Sequence, residues 1–127
     1  MGSWPSGISA ITVFAEDLAA TKAFYQEVFG LPIHYEDEAS AVFDFGNTLI
    51  NLLKVEEAHG LIAPAEVGQP GAGARIQFTI TVDDVDATCA DVVARGVHLI
   101  NGPMDRPWGI RTACFADPAG QIWEIAK

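Results

Sequence analysis

Basic side chains are scarce in this sequence: 7 Lys and Arg stand against 17 Asp and Glu, for a formal net charge of −10. A surface that negative repels nucleic acid and anionic lipid, so neither is expected as a partner, and it attracts cations. The charge serves solubility or concentrates a cationic ligand, and charge alone does not choose between them. Cysteine is nearly absent, with Cys89 inside a helical pattern and Cys114 inside a strand pattern. One disulfide is open to such a pair, but the favoured reading is two buried, reduced thiols. No apolar run approaches the roughly 20 residues that span a bilayer. Met1 to Gly7 lacks the basic start and apolar stretch of a signal peptide, so the expected location is the cytoplasm.

What the chain has in quantity is apolar surface. Half of its 127 residues are hydrophobic, enough for one domain, residues 1–127, to bury a core without staples. It also repeats itself. The run Ile11-Thr12-Val13-Phe14-Ala15-Glu16-Asp17-Leu18-Ala19-Ala20-Thr21-Lys22-Ala23 returns as Phe78-Thr79-Ile80-Thr81-Val82-Asp83-Asp84-Val85-Asp86-Ala87-Thr88-Cys89-Ala90. Self-similarity over the same order of elements indicates duplication.

Each copy reads as strand, helix, then three strands. Asp17 and Asp84 stand where a carboxylate N-caps the following helix. In the first helix Leu18, Thr21, Phe24, Tyr25, Val28 and Phe29 recur at three and four, which makes one apolar face. Gly30 and Gly96 fit left-handed C-caps. Strands are expected at Ile33–Tyr35, Ala41–Phe45 and Thr48–Lys54, and again at His98–Ile100, Ile110–Ala116 and Gln121–Ile125. Gly46-Asn47 and Asp117-Pro118-Ala119-Gly120 supply the hairpin turns. The modules span residues 8–55 and 75–127. Between them Glu56 to Ala74, rich in Gly, Pro and Ala, reads as a linker or a flap over a cavity.

This layout, with the ending Asp117-Pro118-Ala119-Gly120-Gln121-Ile122-Trp123-Glu124, resembles the vicinal oxygen chelate superfamily of glyoxalases, extradiol dioxygenases and bleomycin-resistance proteins. The resemblance covers the whole chain. It implies an α+β fold of two tandem βαβββ modules that form a curved mixed sheet with a concave ligand cavity, in a homodimer.

The superfamily's enzymes mostly hold a divalent metal through four side chains, one on the first and one on the last strand of each module. The matching positions here are Ala10, Asn51, Gln77 and Glu124. Alanine has no lone pair, and the two amides are weak neutral ligands beside a single carboxylate. Metal sites favour imidazole and carboxylate donors, so neither a metal nor any other cofactor is expected. His34, His59 and His98 fall at no ligand position.

Strand alternation from these positions turns Thr12 and Phe14, Leu49 and Leu53, Thr79 and Thr81, and Ile122 inward. A three-residue turn would set Cys114 opposite Glu124 with Thr112 beside it, and a two-residue turn would point Ala113 and Phe115 inward instead. The resemblance favours the first. Trp108 falls at the mouth as a platform for a flat or cationic ligand, or caps the sheet as a core residue. Trp123 is expected in the core. Trp4 is free to plug a dimer partner.

The expected ligand-binding set is therefore Thr12, Phe14, Leu49, Asn51, Leu53, Gln77, Thr79, Trp108, Thr112, Cys114 and Glu124. The function it implies is sequestration of a small aromatic or cationic natural product or antibiotic. The alternative is a lyase or isomerase of the glyoxalase type, with metal or with Glu124 as a metal-free base.

Overall fold

A computed structural model describes residues 5–127, and Trp4 lies outside the described residues. The first module comprises β1 (Ala10–Ala15), α1 (Leu18–Val28), β2 (Tyr35–Glu36), β3 (Ser40–Asp44) and β4 (Leu49–Lys54). After α2 (Val55–Ile62), the second comprises β5 (Gln77–Thr81), α3 (Val85–Ala94), β6 (Leu99–Asp105), β7 (Arg111–Ala116) and β8 (Ile122–Ala126). The strands form two four-stranded mixed sheets, β1-β4-β3-β2 and β5-β8-β7-β6. In each, the first strand lies parallel to the last, and β1 and β5 are left as edges.

The local chemistry is duplicated along with the topology. Asp17 accepts from the Ala20 N–H and Asp84 from the Ala87 N–H, each at 3.0 Å, so one orphan donor of each helix start is satisfied. The Thr21 and Thr88 hydroxyls donate back to the carbonyls of those capping residues. Gly30 and Gly96 end the helices at φ +68° and +93°. That left-handed backbone favours glycine, which has no Cβ to clash.

One core serves both modules. Val13, Phe43, Ile50 and Leu52 from the first sheet join Phe115, Trp123 and Ile125 from the second, with Tyr25 and Val28 of α1 among them. Tyr25 packs against Phe43 on one side and Trp123 on the other, with ring centroids 5.4 and 5.9 Å away. Phe45 stacks on Trp123 at 5.2 Å, and Trp123 is buried as expected. The helix-bearing faces of the two sheets thus meet across α1, and their opposite faces point away from this core.

Three segments depart from the sequence reading. The start of the expected linker is helical, because Val55, Ala58, Leu61 and Ile62 recur at three and four behind Glu56 and Glu57. Its Gly, Pro and Ala content hid that period. β2 shrinks to two residues at a sheet edge, while β6 runs on to Asp105 through a bulge. Gly102 sits at that bulge with φ +85°, and a Cβ there would lie 2.4 Å from the Thr112 carbonyl oxygen. Only glycine lets β6 approach β7 so closely.

Candidate functional site

The outer face of the first sheet carries Ala10, Thr12 and Phe14 on β1 and Leu49, Asn51 and Leu53 on β4. Thr12 lies opposite Asn51 in the parallel register. The Asn51 side-chain amide donates to the Thr12 hydroxyl at 3.5 Å, while its Oδ1 is buried with no partner among the described residues. Such an unpaired acceptor is costly and is open to a ligand's donor. Thr12 and Phe14 also border a cleft of about 430 Å³ whose far wall is linker residues 67–74 and the β7–β8 turn. The linker therefore does stand over part of this face.

On the second sheet Gln77, Thr79 and Thr81 lie on β5, Ile122 and Glu124 on β8, and Thr112 and Cys114 on β7. Thr79 stands opposite Glu124, repeating the Thr12–Asn51 register, and its hydroxyl donates to Glu124 Oε1 at 3.0 Å. The β7–β8 turn follows the three-residue alternative, because Cys114 pairs with Glu124 and Thr112 with Ala126. Ala113 and Phe115 face the core instead. Gln77 and Thr79 additionally line a cleft of about 440 Å³ at the β5 edge, shared with Phe45 and Trp123.

Sequence reasoning missed Asn101, Met104 and Arg106. The bulge at Gly102 brings Asn101 opposite Cys114 and Met104 opposite Thr112, so both share the outer face although they are three positions apart. Arg106 then reaches back over that face, donating through Nε to Thr112 Oγ1 at 2.8 Å and through Nη2 to Asn101 Oδ1 at 3.0 Å. The signal available in the sequence was the Gly102-Pro103 break inside a strand pattern. Trp108 occupies the β6–β7 turn and is 68 % exposed, so it does not cap the core.

Behind these faces lies a buried polar hub. The Tyr25 hydroxyl donates to Asp117 Oδ2 at 2.7 Å, and the Trp123 indole N–H to the same oxygen at 3.3 Å. The amides of Ala119 and Gln121 donate to Asp117 Oδ1. Burial pushes the Asp117 carboxyl up, and its four hydrogen bonds oppose that rise. Burial and the neighbouring Asp117 charge push the Tyr25 phenol far above its ordinary range. The hub ties α1 of the first module to the β7–β8 turn of the second.

The residues at the superfamily's metal positions do not fit a divalent ion. Ala10 brings no donor, Asn51 and Gln77 bring neutral amides, and Glu124 brings the single charge, accepting from Thr79. Such a set offers little to offset the desolvation of the cation. Among the described residues no three His, Cys, Asp or Glu side chains gather as a possible metal group. His34, His59 and His98 are all exposed, and Cys89 and Cys114 are buried free thiols. No helix among the described residues is long and apolar enough to cross a membrane.

The structure thus divides the sequence-predicted residues between two outer faces, Thr12, Phe14, Leu49, Asn51 and Leu53 on one, Gln77, Thr79, Thr112, Cys114 and Glu124 on the other. Comparison with known proteins agrees with this architecture. An uncharacterized Bacillus subtilis protein, YraH, is 35% identical over 121 residues, covering 92% of this chain and 94% of that one. A lactoylglutathione lyase from Agrobacterium tumefaciens is similar in structure (TM-score 0.75, 26% identity), with 96% of this chain and 93% of that one covered. A glyoxalase/bleomycin resistance protein/dioxygenase from Nocardioides shares the fold (TM-score 0.87, 21% identity), over 99% of this chain and 85% of that one. Residues 7–125 match the family model for the Glyoxalase/Bleomycin resistance protein/Dioxygenase superfamily, and to that family the chain belongs.

Proposed function

We propose that this protein is a small-molecule binding protein of the glyoxalase/bleomycin-resistance type, holding an aromatic ligand without a metal. The observation that carries the reading is the donor set: four family metal positions contribute one carboxylate between them. What remains on the outer faces is hydroxyls, amides and apolar side chains beside an exposed Trp108, a composition suited to binding. The net charge of −10 adds a long-range pull on cationic ligands. β1 and β5, each with one hydrogen-bonded neighbour, leave open edges through which a second copy would join the two kinds of outer face into one cup. A homodimer is therefore part of the proposal.

The test is metal content together with tryptophan emission. Protein purified without chelator and supplied with Ni, Zn or Mn should retain well under one equivalent. Aromatic and cationic antibiotics should quench its fluorescence, less so in Trp108→Phe. Stoichiometric metal that is lost in Glu124→Ala overturns the reading in favour of metal-dependent lyase or isomerase chemistry.

A further inference from the structure

Three of the seven basic residues of this acidic chain are engaged with acids or helix ends. Arg111 is held between Asp86 and Asp105, Lys22 faces Glu36, and Arg95 serves Asp91 and the carbonyls that end α1. Arg106 differs. It is half-buried, and among the described residues no carboxylate lies within 4.0 Å of its guanidinium. Its hydrogen bonds go instead to two neutral oxygens, Thr112 Oγ1 and Asn101 Oδ1.

A guanidinium has five N–H donors in a rigid plane. Two are used to fix this one, which leaves three for another acceptor. Because two anchors already hold the group, little rotamer freedom is left to lose when a ligand arrives. Its Cζ lies 6.0 Å from the centre of the Trp108 ring, and that ring is largely exposed. The geometry around both groups is imposed by backbone. The bulge at Gly102 delivers Asn101, and the turn closed by the Gly109 N–H on the Arg106 carbonyl delivers Trp108.

From this arrangement we infer that Arg106 and Trp108 form a subsite for an aromatic carboxylate at the rim of the second sheet's outer face. The ligand's ring lies on the indole, and its carboxylate takes the free N–H donors of the guanidinium, the planar pairing for which arginine is suited. Glu124 lies on the same face, with Thr79 donating to it. The inference rests on the ligand-binding reading above and gives the ligand a charge opposite to the one the whole surface attracts.

The probes are 2-naphthoate, its neutral amide and 2-naphthylmethylammonium, titrated calorimetrically into the full chain. The carboxylate should bind at least ten-fold more tightly than the amide. Arg106→Gln should erase that preference by weakening the carboxylate far more than the amide, while Arg106→Lys should keep part of it. Trp108→Ala should weaken carboxylate and amide alike. Equal affinity of acid and amide for the wild-type chain, or a preference that survives Arg106→Gln, overturns the subsite. Binding of the cation alone overturns the subsite and leaves the metal-free binding protein standing. Stoichiometric metal at Glu124 overturns that reading whatever the naphthoate does.

Discussion

The two modules agree wherever the backbone is being shaped and disagree wherever a ligand would be met. Caps, C-terminal glycines and the register of first strand on last strand are the same in both: Asp17 with Asp84, Gly30 with Gly96, Thr12–Asn51 with Thr79–Glu124. The outer faces have parted. The first has Thr12 and Asn51 among apolar side chains at its centre, and the second carries Glu124, Arg106 and a bulge with no counterpart. The helices have parted too. α1 brings Phe24, Tyr25 and Phe29 to the seam between sheets, whereas α3 packs on its own sheet with Val85, Cys89 and Val92. Duplication preserved the instructions for folding and released the positions that choose chemistry.

The sharpest way to break this comparison is at glycine. Gly102 and Gly46 both adopt positive φ, but a Cβ at Gly102 strikes β7 backbone while one at Gly46 meets nothing within 4 Å. Gly102→Ala should therefore lose ~3 kcal/mol of stability and displace Asn101 and Met104, whereas Gly46→Ala should lose only ~1 kcal/mol. Urea titration of the two variants measures the gap, and equal losses would mean that the bulge is not a fixed feature.

The seam gives a smaller effect with a pH signature. Tyr25→Phe leaves Asp117 short of one donor in a buried site and should cost ~1–3 kcal/mol at neutral pH. The tyrosine's folded pKa is raised, so its contribution is fully present below the unfolded tyrosine value of about 10 and is lost as pH rises beyond it. The wild type should thus weaken above that pH more steeply than Tyr25→Phe. Parallel pH profiles for the two proteins would remove the phenol from the hub.

Smallest are the caps. Asp17→Ala and Asp84→Ala should each cost ~1 kcal/mol, read as shifts in thermal midpoint. A larger loss at Asp17 would show that fraying of α1, which serves both sheets, reaches further than fraying of α3.

Legibility in the sequence followed the range of the interaction. Asp17, Gly30, Asp84 and Gly96 could be placed because a cap is decided within four residues. The inward set Thr112 and Cys114 hung on the length of the turn after Ala116, which the sequence left open between two and three residues and the family resemblance decided. Asp117 was read only as a turn former, since its partner Tyr25 lies 92 positions away and nothing local marks the pair. Asn101 and Arg106 escaped because the Gly102-Pro103 break ends the strand pattern at Ile100, while the bulge carries β6 on to Asp105. The division of the expected cavity between two sheets was equally hidden. Alternation tells which residues share a face, but not which way two sheets turn toward each other.

The Tyr25 seam also bears on how such a chain could have arisen. A lone first module would expose Phe24, Tyr25 and Phe29, and a lone second module would leave Asp117 without its phenol and Trp123 without its cover. An ancestor of one module would have needed a second copy to bury that seam, at a strength set by its concentration. Fusion would have made the neighbour permanent. A nick in residues 63–74 should accordingly yield two fragments that find each other and restore the fold, a natural split-protein pair.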